Sequence, residues 1–152
     1  MPFVEVFTPR GAVARERRDA IASRLVAEVM TAEGAPDTPM ARSISWLTWH
    51  EPEGWWVGGE RVDPAAPARY VVRISVPAGS LDDRRRLDMV ERVTAVLARA
   101  EDDPRRLERE PAAWVHITEI PEGNWGALGR VVRLADIAAY VVGAGSDVTA
   151  AS

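Results

Sequence analysis

Pro2, the second residue of the chain, is the position with the clearest capacity for chemistry. A small second residue permits removal of the initiator methionine, and Pro2 would then carry a secondary amine in place of an amide. An α-amino group has a pKa of about 7.7–8.0 in water. Burial in an apolar pocket or a nearby cation would lower that pKa, so that the amine could take up a proton at neutral pH. The sequence therefore predicts a general base at residue 2.

The elements that must position Pro2 follow it directly. Residues 2–8 alternate apolar and polar side chains, which predicts a strand that ends at a turn. Residues 13–31 have the period of 3.6 that is typical of an amphipathic helix. Residues 42–50 are rich in β-branched and aromatic side chains and are expected to form a second strand. The first half of the chain is thus predicted to be strand, helix, strand.

The second half repeats this order. Residues 70–76 are predicted to form a strand, residues 87–100 present an apolar helical face, and residues 113–120 are predicted to form another strand. Residues 105–110 are interpreted as a charged loop. Residues 131–142 are apolar enough to close the half as a strand or a short helix.

A Pro-Glu-Gly-x-Trp corner marks each half, at residues 52–56 and 121–125, and the two corners begin 69 residues apart. Self-similarity at a fixed spacing indicates a duplication. We therefore expect one domain made of two halves, at about 2–62 and 69–143, followed by a flexible tail at 144–152.

The order of elements predicts an α+β fold. A strand–helix–strand crossover is right-handed and makes its two strands parallel. Two such units side by side form a four-stranded sheet with two helices on one face. On strand 70–76, Val71, Arg73 and Ser75 would then point to the uncovered face. An uncovered face with apolar residues indicates a homo-oligomer.

Composition narrows the class of protein. The 152 residues carry a net charge of −4 and contain no cysteine. A disulfide framework and a thiolate metal site are therefore excluded, and the two histidines predict no metal site. No apolar run reaches the ~20 residues that span a bilayer, and no basic stripe predicts nucleic-acid binding. We expect a cytoplasmic protein with neither a membrane nor a nucleic-acid partner.

The stretch 118–130 reads Thr-Glu-Ile-Pro-Glu-Gly-Asn-Trp-Gly-Ala-Leu-Gly-Arg. Together with Pro2 on a short strand and a β-α-β unit, it resembles the tautomerase superfamily, the proteins similar to 4-oxalocrotonate tautomerase. The length resembles the fused two-repeat members, such as cis-3-chloroacrylic acid dehalogenase and malonate semialdehyde decarboxylase. This resemblance implies a homotrimer without a cofactor, with one active site for each N-terminal proline.

The resemblance also implies which residues contact a small carboxylate substrate. Pro2 would be catalytic, and arginines would bind the substrate carboxylate through a bidentate pair of hydrogen bonds. Arg10 follows the first strand and Arg130 follows the Gly-rich turn, at positions similar to those of substrate-binding arginines in the family. Arg73 lies in the middle of a central strand, where a charge needs a partner.

The same motif also implies roles for Trp125 and Asn124. Trp125 occupies the place where the family puts an aromatic residue over the proline, and Trp56 is interpreted as its equivalent in the first half. Asn124 would orient a substrate carbonyl or hold the turn.

The predicted function is that of a tautomerase or isomerase of small 2-oxo acids or their enols, with the Pro2 amine as general base. One alternative is a hydratase, dehalogenase or decarboxylase of a three-carbon unsaturated or oxo acid. The arginine pair that those fused members carry after the third strand is missing from residues 76–80, whereas Asp37 lies in about the loop of the decarboxylase acid. A second alternative is a trimeric binding protein without catalysis.

Overall fold

The computed structural model describes residues 1–143, and the predicted tail at 144–152 lies outside them. The first half contains strand β1 (Phe3–Phe7), helix α1 (Arg15–Glu33), short helix α2 (Pro39–Ser43), strand β2 (Trp46–His50) and a hairpin of β3 (Trp56–Val57) and β4 (Glu60–Arg61). The second half contains strand β5 (Tyr70–Pro77), helix α3 (Asp83–Arg99), short helix α4 (Arg106–Arg109), strand β6 (Ala113–Ile120), a hairpin of β7 (Gly126–Ala127) and β8 (Arg130–Val131), and helix α5 (Leu134–Val141).

The prediction of a strand over residues 42–50 is wrong at its start, because helix α2 extends to Ser43. Thr38 caps this helix by accepting a hydrogen bond from the Ala41 amide, and Pro39 occupies its first position. Both features favour the start of a helix over extended backbone. Helix α4 likewise forms a turn inside the predicted loop 105–110.

Four of the strands form one sheet in the order β2-β1-β5-β6, and the hairpins β3-β4 and β7-β8 form two separate two-stranded sheets. Strands β1 and β2 are parallel, as are β5 and β6, while β1 and β5 are antiparallel. Helices α1 and α3 contact each other and cover one face, so the predicted four-stranded α+β sheet with two helices on one face is confirmed. The start of β1 therefore lies beside the end of β5, with Phe3 opposite Ser75.

The core lies between the sheet and the two helices. Val4 and Val6 of β1 and Val72 and Ile74 of β5 are fully buried there. Burying one such side chain contributes about 1.5–3 kcal/mol. The core therefore fixes which side chains of each strand face the helices, and with them the side chains on the opposite face.

The second face of the sheet is not covered by any element of residues 1–143. Trp46 and Trp114 are 67% and 59% exposed there, and Arg73 is exposed between them while Val71 and Ser75 are half-buried. The predicted orientation of strand β5 is therefore correct. No helix in the described part of the chain is both long and apolar enough to cross a membrane.

A buried ion pair holds the second half to the segment that precedes it. The Arg106 guanidinium donates to Glu101 at 2.8 Å and also to the Ala68 carbonyl. The Tyr70 hydroxyl donates to Glu101 at 2.6 Å. Burial, and then the adjacent Glu101 carboxylate, raise the pKa of Tyr70, so the hydroxyl remains a donor. These bonds hold the start of β5 in place, at the end of the sheet opposite to Pro2.

We expect Tyr70→Phe to lower the free energy of unfolding by about 1–2 kcal/mol, because it removes a buried hydrogen bond to a carboxylate. Urea denaturation monitored by circular dichroism measures the change. The matched control is Tyr140→Phe, since Tyr140 is 38% exposed. Equal unfolding midpoints for the two variants would contradict the importance assigned to the Tyr70–Glu101 bond.

Candidate active site

Pro2 is buried at one end of the sheet, where four strands meet. Its carbonyl accepts a hydrogen bond from the Trp46 amide at 3.2 Å, which joins the starts of β1 and β2. The antiparallel β1–β5 pairing brings Ser75 to the same end, and the parallel β5–β6 pairing brings Ile120 there. A pocket of about 550 Å³ opens at this junction. Its lining is formed by Met1, Pro2, Phe3, Ile44, Trp46, Ser75, Ile120, Asn124, Trp125, Gly126 and Ala127.

The corner at residues 121–125 forms the wall of this pocket opposite the strands. The Asn124 amide donates to the Pro121 carbonyl at 3.0 Å, which closes the turn. Glu122 accepts a hydrogen bond from the Leu134 amide at 2.9 Å, so the corner is fastened to the start of α5. The Trp125 ring packs against a small apolar cluster formed by α1, α2 and α5. The turn is therefore held on both sides.

Three of the sequence-predicted site residues come together in this pocket: Pro2, Asn124 and Trp125. Arg130 lies next to them, because it is opposite Ala127 in the β7–β8 hairpin and lines a shallow depression shared with Asn124 and Trp125. Arg130 is exposed. Among residues 1–143, no carboxylate forms a salt bridge with it.

Arg10 and Arg73 do not reach the Pro2 pocket of their own chain. Arg73 is opposite Glu5, three residues along β1 from Pro2, which corresponds to about 10 Å. Its guanidinium lies 5.1 Å from the centroid of the Phe7 ring, on the uncovered sheet face. Arg10 follows the far end of β1 and is exposed. A role of these two arginines in substrate binding remains a prediction.

The structure corrects the assignment of Trp56 as the equivalent of Trp125. The Trp55 carbonyl accepts from Val62 at 2.9 Å, and the Trp125 carbonyl accepts from Val132 at 2.8 Å, so Trp55 holds the equivalent place. Asn124 is an extra residue in the second corner, which shifts the match by one position. The Trp56 ring is 56% exposed.

Asp37 does not approach the pocket as an acid. Its carboxylate forms two bonds with Arg42, at 2.5 and 2.9 Å, on the protein surface. The hydrogen bond from Arg42 lowers the pKa of Asp37, which keeps it ionised. Asp37 therefore fastens the segment between α1 and α2.

Sequence reasoning missed Glu33, the buried last residue of α1. The ammonium group of Met1 donates to both carboxylate oxygens of Glu33 at 2.9 Å. The period of the helix places Glu33 near the apolar stripe that contains Met30, but a charged residue at a helix end is usually solvated. The helical period was therefore only a weak sequence signal that Glu33 is buried.

The lining of the pocket is mainly apolar and aromatic, with polar groups from Ser75 and Asn124. An apolar environment disfavours a charged amine. Asn124 can donate its side-chain amide to a carbonyl oxygen, and Arg130 beside the pocket can pair with a carboxylate. The described residues contain no cluster of three or more histidine, aspartate and glutamate side chains placed for a metal ion.

Comparison with known proteins identifies the fold. No family model matches the sequence, and no curated protein sequence does. A fused 4-OT that forms an asymmetric trimer has a similar structure, with a TM-score of 0.67, 24% identity, and coverage of 85% of this chain and 94% of that one. N1, a member of the cis-3-chloroacrylic acid dehalogenase family, gives a TM-score of 0.66, 19% identity, and coverage of 86% and 82%.

Pt0534, solved after inactivation by 2-oxo-3-pentynoate, gives a TM-score of 0.68, 16% identity, and coverage of 85% of this chain and 94% of that chain. These structures cover most of both chains, so the chain has their fold. The resemblance to fused tautomerase-superfamily proteins that the sequence indicates is confirmed at the level of fold.

The tip of the β7–β8 hairpin generates a prediction about stability. Leu128 has φ 55 and is 89% exposed, and a left-handed conformation costs an L-residue roughly 1–2 kcal/mol. The turn resembles the type I′ turns that favour Asn-Gly. We expect Leu128→Asn to raise the free energy of unfolding by about 1 kcal/mol, measured by urea denaturation.

The equivalent turn of the first half supplies the reciprocal control. Gly58 has φ 61 at the position that Leu128 occupies in the second hairpin. Gly58→Leu should lower the stability by a similar amount. A stabilising effect of Gly58→Leu, or a destabilising effect of Leu128→Asn, would show that backbone conformation does not govern these turns.

Proposed function

We propose that this chain catalyses proton transfer in a small 2-oxo carboxylic acid or its enol, with the secondary amine of Pro2 as the base after Met1 is removed. One observation carries the proposal. Pro2 and the Asn124-Trp125 corner, which lie near opposite ends of the sequence, line the same pocket. The fold itself has many possible uses, so the argument rests on this pocket.

The chemistry requires an amine that can hold and release a proton near neutral pH. The amine removes a proton from one atom of the substrate and a proton is returned at another, so the enzyme and the atomic composition of the substrate are unchanged. Phe3, Trp46 and Trp125 surround Pro2 with apolar surface. Such surroundings favour the neutral amine, which is the form that accepts a proton.

Two groups would orient the substrate in this proposal. Arg130, beside the pocket and outside the salt bridges of residues 1–143, would bind the carboxylate in a bidentate manner. Asn124 would donate to the oxygen on which negative charge develops in the enolate. Arg10 and Arg73 could contribute only to the pocket of another copy, if assembly brings them there.

A homotrimer is part of the proposal. The fused 4-OT with this fold is a trimer, and the uncovered sheet face presents Trp46 and Trp114 to solvent. Trp46 also lines the Pro2 pocket, so a copy packed against this face would close the pocket on that side. Contact between copies would therefore help to complete the site.

The assembly is tested by sedimentation equilibrium. We expect a mass three times that of the chain, and we expect Trp114→Glu to lower it toward one chain because a carboxylate would be placed in the apolar interface. Trp56→Glu is the matched control, since Trp56 is exposed in the first hairpin and lies outside the sheet face. A mass of one chain for the unchanged protein would contradict the trimer.

The catalytic proposal is tested with Pro2→Ala and with protein that retains Met1. We expect conversion of phenylenolpyruvate from enol to keto form to fall by at least about 100-fold in both, because each removes the secondary amine that acts as base. Ultraviolet absorbance follows the reaction, and intact mass establishes whether Met1 is present.

Pro9→Ala is the control, because Pro9 lies beyond the far end of β1. Unchanged turnover in Pro2→Ala would exclude Pro2 as the base. An ordinary amine pKa at Pro2 together with an absence of turnover would instead favour a binding protein, and release of carbon dioxide or halide would identify a decarboxylase or dehalogenase.

A further inference from the structure

Glu33 carries a buried carboxylate that pairs with the N-terminus of the chain. Its side chain is 5% exposed, and the Met1 ammonium lies 2.9 Å from its oxygen atoms. Among residues 1–143, this ammonium is the cation that forms a salt bridge with Glu33. Removing the partner of a buried carboxylate strongly destabilises the folded protein, because an uncompensated charge remains buried. Removal of Met1 therefore leaves a buried charge that needs a new partner.

The amine of Pro2 is placed to become that partner. The nitrogen atoms of Met1 and Pro2 are separated by three covalent bonds, or roughly 3 Å. With Glu33 at 2.9 Å from the Met1 nitrogen, the Pro2 amine lies within about 6 Å of the carboxylate, a separation at which opposite charges stabilise each other. A water molecule in the place of the Met1 nitrogen would be within hydrogen-bonding reach of both groups.

We propose that Glu33 is a positioning residue that holds the Pro2 ammonium during turnover and sets the pH at which the amine is free. This inference rests on the proposed function. Glu33 does not line the pocket, whereas Pro2 does. The carboxylate therefore acts on the amine from the helix side, while the substrate approaches from the pocket side.

The pocket lining and the Glu33 carboxylate have opposite effects on the protonation of the Pro2 amine. The apolar lining of the pocket favours the neutral amine, and the Glu33 carboxylate favours the ammonium form. An amine under both influences is protonated more readily than the pocket alone would allow. It can then return a proton to the substrate without losing the ability to accept one.

Charges on the neighbouring elements do not replace Glu33. From α3, the Arg85 guanidinium donates to the backbone carbonyls of Glu33 and Ser80, at 3.4 and 3.0 Å. On the pocket side, Arg130 lies beside Asn124 and Trp125 and forms no salt bridge among residues 1–143. Other charged groups of the surrounding elements are paired with one another. These pairs are Asp37 with Arg42, Arg86 with Glu119, and Arg133 with Glu122.

The test is an NMR titration of the ¹⁵N-labelled Pro2 nitrogen in protein shown by intact mass to lack Met1. We expect Glu33→Gln to move the titration midpoint of this nitrogen to lower pH by on the order of one unit, because the stabilising charge is lost. Glu28→Gln removes the same charge from the same helix, but its carboxylate pairs with Arg24 and Arg92. This control should leave the midpoint in place.

An unchanged midpoint in Glu33→Gln would overturn the proposal. Glu33→Asp keeps the charge at a greater distance and should give a smaller shift in the same direction, so the test survives if the glutamine variant does not fold. The pH profile of kcat/KM should move in parallel with the titration. A shifted midpoint without turnover in any of these proteins would support the role of Glu33 and contradict only the proposed function.

Discussion

The antiparallel pairing of β1 with β5 is the constraint on which the site depends. It joins two parallel β-α-β units so that the start of one coincides with the end of the other, with Phe3 opposite Ser75. Strand β6 then ends beside Pro2, and the corner that follows it closes the pocket. Parallel pairing of the two units would place the corner and Pro2 at opposite ends of the sheet. The buried valines on β1 and β5 fix this register, because a slip by one residue would turn them to the other face.

The same pairing places equivalent segments of the two halves at opposite ends of the sheet, but the chemical groups at the two ends differ. The Ala12 amide donates to the Pro9 carbonyl after β1, and the Ser80 amide donates to the Pro77 carbonyl at the end of β5, 68 residues further along the chain. At that spacing the place of Pro2 in the first half corresponds to Tyr70 in the second. Tyr70 is buried at the start of β5, and its peptide nitrogen donates to the Ala112 carbonyl at 2.9 Å. Only the end that holds the start of the chain can supply a free amine. The duplication thus builds two similar corners, at residues 52–56 and 121–125, but provides chemistry for one.

Much of this could be predicted from the sequence, because periodicity and repetition report local structure directly. The order of strands and helices and the face of the sheet that the helices cover follow from such patterns. The meeting of Pro2 with Trp125 in one pocket was instead implied by the resemblance to the tautomerase superfamily. The missed features depend on particular hydrogen bonds that periodicity and repetition do not report. Helix α2 replaced part of a predicted strand through the Thr38 cap, and the partnership of Glu33 with the N-terminus spans 32 residues. The one-residue shift caused by Asn124 likewise required the hairpin hydrogen bonds to be seen.

In the proposed function the Pro2 amine is the reactive group of the pocket that the Asn124-Trp125 corner closes on one side. Pt0534, which has this fold, is inactivated by 2-oxo-3-pentynoate, and an amine can add to the alkyne carbon of that acid with transfer of its proton to the neighbouring carbon. Peptide mass spectrometry after incubation of the Met1-free protein with this compound tests the claim most directly. We expect the peptide beginning at Pro2 to gain the mass of one reagent molecule. An unmodified Pro2 peptide, with or without labelling elsewhere, would contradict it.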